Sequence, residues 1–469
     1  MSYQVELLHS LLLDFLQGES ALLTIDGEVL GVRGQHPATY GTLVTAAQTV
    51  GKYLKLQEGD IAILNDPYSG GSHLNEMTFV MAISEDLLWV RRQPMHSVIQ
   101  FGKTVEEEGL RIPPTPLRQN GKINELILSA MQAHPACPSY FGEWIQNQFA
   151  EMIQRAHILI EAVELSGFEI TADLIKDYLN LSKNLAKQKI SENVAGETRV
   201  DVMLDSGELL RLKLEVHEGK ISIDFSGSSA AKTLHLTESA TYGACFYAIS
   251  RYYGFADFAN SGSFAVLQVT KPTGCWLMAK YPASISKGFV YGVAALQTAI
   301  ELAFSAIHPK REKAWSCYSP LIVQMQKTAA SSSLMTMRLP GGTGASIDHN
   351  GVCGKIENIS IEKIEREFPV KITSIQQRSL GENSNKFRGG QGLEIALEAY
   401  EDLEVSWFSE LTMHKPRQTK NCTYGEPGAL SLSSQGTEKK LSALGKQKIL
   451  RGDVLTLCSG NGGGFGKSE

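Results

Sequence analysis

The chain has 469 residues, 43% of them hydrophobic and 20% charged. This excludes disorder as its general state and gives length enough for one large or two ordinary domains with a substantial core. Lysine and arginine number 44 against 50 acidic residues, a formal net charge of −6, which argues against a nucleic-acid-coating protein and leaves small molecules and other proteins as partners.

The first segment, MSYQVELLHSLLLDFLQGES, carries Glu6 and Asp14 and has no positively charged start or small-residue cleavage site. It therefore reads as an amphipathic helix and not as a signal peptide. ALLTIDGEVLGVRG then alternates apolar and polar residues around Asp26-Gly27, the pattern of a hairpin. A helix is expected over 43–53, followed by the turn Glu58-Gly59-Asp60 and a buried strand. After the glycine-bearing loop NDPYSGGSHLNEM come two strands, TFVMAI and LLWVRR, joined at Ser84-Glu85-Asp86. From Thr104 the chain runs through a proline-rich loop into a block over 123–190 whose apolar spacing is helical, with Gly167 stopping one helix before another over 172–188.

Beyond the block, turns at Asp205-Ser206-Gly207 and Glu218-Gly219 separate antiparallel strands, and helices are expected over 238–252 and 284–307. From about 340 the chain is strand-rich again, with glycine loops LPGGTGASIDHNG, FRGGQG, YGEPG and SGNGGGFG. The fold class is thus α+β and mixed, with strand-rich N- and C-terminal parts around a helical block. Four regions are expected, at 1–105, 106–195, 196–335 and 336–469. No run of eighteen uncharged apolar residues occurs, so no membrane span is expected. The seven cysteines are scattered singly without a CxxC pair, as suits a reducing cytoplasm. GGTGAS has no Walker lysine after its glycines, so nucleotide binding by this chain is not expected.

The segment with most chemistry is Asn65 to Glu76. Asn65-Asp66-Pro67 starts a turn, and Gly70-Gly71 permits a sharp bend that other residues resist. His73 follows, with Glu76 three positions on, and imidazole plus carboxylate suits zinc, manganese or iron. A hairpin through the next two strands would return His96 to the same place. The plainer reading is a loop histidine satisfied by hydrogen bonds, since two or three ligands fall short of the usual four.

This segment, together with EGLRIPP at 108–114, FRGGQG at 387–392 and the end SGNGGGFG, resembles the B-type subunits of the hydantoinase/oxoprolinase family. The likeness runs nearly end to end, over a chain shorter than typical members. It implies a heteromeric assembly, expected as a higher oligomer. An A-type partner with an actin-like nucleotide-binding fold would use ATP and Mg to activate a cyclic amide. The B-type chain would then complete hydrolysis at a divalent metal (zinc, or manganese or iron). By this resemblance Asp66, His73 and His96 are the catalytic candidates and His73, Glu76 and His96 the metal ligands. Asn65, Tyr68, Gly70, Gly71 and Arg388 would contact the substrate, a hydantoin, oxoproline or similar lactam.

The likeness is uneven at polar positions. The family writes NDPYxGGTHLPD, so His73 matches while Glu76 replaces an aspartate. Its His-His-x-Asp-Ile-Gly-Gly becomes Met95-His96-Ser97-Val98-Ile99-Gln100-Phe101, and its Pro-x-His-x-Gly becomes Pro37-Ala38-Thr39-Tyr40-Gly41. Scaffold glycines and prolines persist while donors are replaced. A non-catalytic chain that stabilises an A-type partner is therefore the alternative reading. Asp348, His349 and Arg388, beside the later glycine loops, are secondary candidates, with Arg388 either holding an anion or bracing its loop.

Overall fold

Val5, Leu8, Leu12 and Phe15, three and four residues apart, bury one face of helix α1 (Tyr3–Phe15). The computed structural model describes residues 3–95, 101–167, 169–318, 320–327, 334–354, 360–380, 385–409 and 421–467. These fall into two units. The first comprises Met1–Gly196, Glu215–Asp224 and His235–Phe289, and the second Glu197–Leu214, Phe225–Leu234 and Val290–Glu469.

In the first unit, β1 (Glu19–Thr24), β2 (Val29–Arg33), β3 (Ile61–Leu64), β4 (Glu76–Ala82), β5 (Leu87–Pro94), β6 (Thr115–Gln119) and β7 (Lys122–Ile123) form one sheet. Its order is β2-β1-β5-β4-β3-β6-β7, and every adjacent pair is antiparallel. Gly27, with φ 91°, closes the β1–β2 turn foreseen at Asp26-Gly27. Helix α2 (Thr39–Tyr53) begins four residues before the expected start. Its first turn, Thr39-Tyr40-Gly41-Thr42, lacks apolar periodicity, and Thr42 instead bonds back to the Ala38 carbonyl.

The helical block is α3 (Glu125–Gln132), α4 (Phe141–Ser166) and α5 (Ala172–Ser191). Gly167 ends α4 in the left-handed conformation, and the Thr171 hydroxyl caps α5. Phe79, Trp89, Phe141, Phe149 and Tyr178 join α1, the sheet and these helices in one core.

The chain passes between the units through β8 (Gly196–Met203), β9 (Leu209–His217) and β10 (Lys220–Asp224). Helix α6 (Glu238–Tyr253), the short α7 (Ser261–Phe264) and β11 (Leu267–Thr270), parallel to β10, complete the first unit. Gly41 of α2 and Gly243 of α6 let these helices touch through backbone: a Cβ on Gly41 would lie 1.9 Å from the Ser239 carbonyl oxygen.

The expected helix over 284–307 is helical from residue 286, passes through a π-type turn at Gly288–Gly292 and continues as α8 (Val293–Ile307). At its start the Glu108 carboxylate accepts the amides of Ile285 and Ser286, groups that the first turn of a helix leaves without an intrahelical partner. This run is long and apolar enough to cross a membrane, yet 83% of its apolar window is buried, as in a core helix.

The second unit holds two antiparallel sheets around one apolar core that includes Val323, Met325, Ile395, Leu397, Val405 and Leu455. One sheet contains β12 (Leu321–Lys327), β13 (Leu334–Leu339), β17 (Leu403–Phe408) and β20 (Leu444–Ile449). The other contains β14 (Val370–Gln377), β16 (Leu393–Ala399), β18 (Ala429–Ser434), β19 (Thr437–Lys440) and β21 (Val454–Cys458), with α9 (Ile361–Glu367) preceding β14. A separate pair joins β15 (Asn385–Phe387) to β22 (Phe465–Lys467). The α+β class, with strand-rich regions flanking a helical block, is thus the observed one.

The glycine loops of this unit pack backbone on backbone. Gly342, Gly390 and Gly462 would each place a Cβ 1.9 Å from a carbonyl oxygen of a neighbouring loop. None has positive φ, so these glycines serve close approach and not turn geometry. Hydrogen bonds from Gly342 to Gly460, Gly390 to Thr343 and Gly462 to Gly390 hold the layers together.

Candidate active site

The loop over 65–76 is shaped by its own residues. Asn65 is fully buried, and its amide donates to the carbonyls of Leu74 (3.0 Å) and Leu110 (2.9 Å) and accepts from the Ile112 amide (2.6 Å). Asp66 caps the 3-10 turn Pro67–Ser69 through the Tyr68 amide and the Ser69 hydroxyl. Gly70 then turns left-handed at φ 101°, and a side chain there would run into the backbone of Ala46. Gly71 lies against the Asn65 carbonyl, where a Cβ would come within 2.3 Å of its oxygen. The two glycines are thus required for different reasons, and together they deliver His73 to the end of β4.

His73 is buried, with Nδ1 3.6 Å from Glu76 Oε2. The Ser72 hydroxyl donates to the same carboxylate oxygen at 2.5 Å and lies 3.3 Å from His73 Nδ1. A hydrogen on Nδ1 satisfies this arrangement and leaves Nε2 as the free lone pair.

Behind Glu76 stands Arg92, 2% exposed, with Nε 3.2 Å from Glu76 Oε2. Its Nη1 donates to Thr42 Oγ1 at 2.7 Å, and its Nη2 donates to Thr39 Oγ1 and to Glu19 Oε2, the latter at 3.3 Å. Glu19 lies directly opposite Arg92 across the β1–β5 ladder. It also accepts the amides of Gln35 and His36 and the Thr39 hydroxyl. Burial alone would raise the Glu76 pKa, but the Arg92 charge, His73 and Ser72 outweigh it and hold the carboxyl far below the usual range. One buried guanidinium therefore carries two carboxylates, at the start of β1 and the start of β4.

A strap over 281–289 crosses this loop. Tyr68 donates its hydroxyl to the Ala283 carbonyl, and the Val105 amide bonds the Pro282 carbonyl. Glu108, 1% exposed, accepts the amides of Ile285 (3.0 Å) and Ser286 (2.9 Å). Burial pushes its pKa up to about 7, against the pull of those amides and of nearby His73. Farther along, the Phe289 ring stacks with His73 at 4.8 Å and with His36 at 4.2 Å between centroids. Arg111 pairs with Asp66 (3.4 Å) and Glu106 (3.3 Å) and lies over the Tyr281 ring.

Of the residues expected from sequence, Asn65, Asp66, Tyr68, Gly70, Gly71, His73 and Glu76 thus share one loop. Asn65 and Asp66 spend their polar atoms largely on shaping it. His96 lies outside the described residues, although the Met95 amide, one position earlier, bonds the Asn75 carbonyl. Arg388 belongs to the second unit, where it is exposed and its backbone bonds Asn350 and Gly351. Asp348 and His349 are also there and exposed; the Ser346 hydroxyl donates to Asp348 Oδ1 and lies 2.7 Å from His349 Nδ1.

Among the described residues no group of three His, Cys, Asp or Glu side chains converges as a metal site. The His73–Glu76 pair fits such an ion poorly, because Glu76 Oε2 is already shared by Arg92 and Ser72. Sequence reasoning missed Arg92, Glu19, Glu108, His36 and Phe289. Glu108 opens the EGLRIPP block, and Arg92 is a charge on an otherwise apolar strand; these were the available signals. Nothing in sequence marks Phe289.

Residues 14–468 match the family described as Hydantoinase B/oxoprolinase. An uncharacterized protein of Methanocaldococcus jannaschii is 26% identical over 97% of this chain and 85% of its own length. 5-Oxoprolinase 1 of Arabidopsis thaliana is 22% identical over 96% of the chain, which spans only 39% of that larger protein. The crystal structure of ATP-dependent caprolactamase from Pseudomonas jessenii superposes with a TM-score of 0.78 at 18% identity, covering 96% of this chain and 84% of that one, and so shares the fold.

Proposed function

The chain belongs to the hydantoinase B/oxoprolinase family, and from that premise we propose that it is the B-type subunit of an ATP-dependent hydrolase of cyclic amides. A nucleotide-binding A-type partner would activate the substrate, and the loop over 65–76 would direct attack on it. A lactam carbonyl is a weak electrophile, so activation on one subunit and attack on another is a sensible division of labour. The names of the relatives, 5-oxoprolinase and ATP-dependent caprolactamase, support the substrate class and the use of ATP.

The observation that carries this reading is the orientation of His73. Ser72 and Glu76 hold its Nδ1 side, Arg92 balances the charge of Glu76, and Nε2 is left to accept a proton from water. Glu108, buried beside His73 and titrating near neutrality, would return a proton to the departing amine.

The second reading, a chain that only stabilises its partner, is favoured by the commitment of Glu76 to Arg92. One experiment separates the two. The chain is co-expressed with a nucleotide-binding A-type subunit, and the complex is assayed for ATP-dependent opening of oxoproline, hydantoin and caprolactam. Ring opening that needs both subunits and ATP supports the hydrolase. A stable complex that hydrolyses ATP but opens none of these rings supports the second reading, and failure to form a complex contradicts both.

A further inference from the structure

The family likeness calls for a metal at His73 and Glu76, and the groups around them are arranged for a different cation. Glu76 Oε2 accepts the Ser72 hydroxyl at 2.5 Å and faces Arg92 Nε at 3.2 Å. Arg92 is buried and brings a fixed positive charge to the site. Its Nη2 reaches Thr39, which stands where the family pattern has a histidine, and Glu19, a second carboxylate. Its Nη1 reaches Thr42. A divalent ion on the same carboxylate oxygen would have to displace, or sit against, a fixed positive charge.

We propose that the guanidinium of Arg92 replaces the metal in this chain. It is the resident cation on which Glu76, Glu19 and Thr39 converge, and the His73–Glu76 pair binds no divalent ion. The substitutions then form one coordinated change. Thr39 in place of histidine offers an oxygen acceptor to a donor, where a nitrogen ligand would have served a metal. Glutamate in place of aspartate at position 76 has the longer reach that meets Arg92 and Ser72 together. The change also moves the burden of activating water onto His73, since a guanidinium polarises but offers no coordination site. This inference stands whether or not the chain is a hydrolase.

The test uses the full chain produced in medium replete with zinc and manganese. Metal content is measured for wild type, His73→Ala and Glu76→Ala, and thermal unfolding is followed with chelator and with each added metal. Metal content unaltered by either substitution, and a midpoint unmoved by chelator or metal, are expected. Stoichiometric zinc or manganese lost in His73→Ala or Glu76→Ala overturns the proposal.

The role of Arg92 is read separately. Arg92→Met leaves two carboxylates without their partner and should lower the midpoint by about 5–10 °C or more. If that variant yields no folded protein, Arg92→Met with Glu76→Gln removes one stranded charge and should recover a folded chain. An Arg92→Met protein that melts with wild type, or a double variant that recovers nothing, overturns the assignment.

Discussion

Tyr68 donates its hydroxyl to the carbonyl of Ala283 at 2.6 Å, tying the loop that carries His73 to the strap that carries Phe289. Burial, reinforced by the carboxylates of Glu108 and Asp66, pushes the phenol well above its ordinary pKa, so it remains a donor beyond pH 10. Tyr68→Phe should cost about 1 kcal/mol. Urea unfolding at pH 7 measures this, and a variant as stable as wild type would show that the contact contributes nothing.

Gly41→Ala should be far more damaging. The added methyl would lie 1.9 Å from the Ser239 carbonyl oxygen and 2.9 Å from the Gly243 amide nitrogen. Backbone cannot rotate away as a side chain can, so α2 and α6 must separate. A loss of about 3 kcal/mol or more is expected, read as a shift in denaturation midpoint. The start of α2 carries Thr39 and Thr42, so Arg92 should lose these two partners in the same variant.

Glu108 gives stability a pH dependence with a definite sign. Its carboxyl is raised from the ordinary 4.5 to about 7 by burial. The folded chain therefore holds a proton that the unfolded chain has released. This contribution is fully present below about pH 4.5 and is lost as pH rises through 7, a change of up to about 3 kcal/mol. Glu108→Gln removes it without removing the bulk. The stability difference between wild type and variant should therefore shrink, or change sign, between pH 4.5 and 8. A difference constant across that range would contradict the assignment.

In the second unit, two glycines of different kinds can be compared. Gly462 has no positive φ but would place a Cβ 1.9 Å from the Thr343 carbonyl oxygen, whereas Gly436 has φ 79° and open space around it. Gly436→Ala should cost about 1 kcal/mol of backbone strain. Gly462→Ala should cost several times as much, because two loops must part. Equal losses in chemical denaturation would mean that the stacked glycine loops yield easily.

Much of the fold was legible because its signals are local. Alternation around Asp26-Gly27, the stop at Gly167 and the spacing of the helical block each act within a few residues, and each fixed an element close to where it is found. The start of α2 and the anchoring of the chain just before α8 were not legible. One depends on hydroxyls bonding backward, and the other on Glu108, 177 residues distant, taking the amides of Ile285 and Ser286.

The site divides in the same way. The loop over 65–76 announced itself through Asn-Asp-Pro, the paired glycines and His73. Arg92 did not, because its importance lies in cross-strand position opposite Glu19 and in Thr39 and Thr42, some 50 residues earlier.

The central claim is that His73 performs chemistry on a substrate activated elsewhere in the complex. The direct measurement is His73→Ala in the assembled complex, with ATP hydrolysis and ring opening followed in the same reaction. Loss of a general base typically costs about 10²–10⁴-fold. Ring opening should fall by that order while complex formation and ATP turnover persist, leaving ATP consumed without product. Ring opening at the wild-type rate would contradict the account.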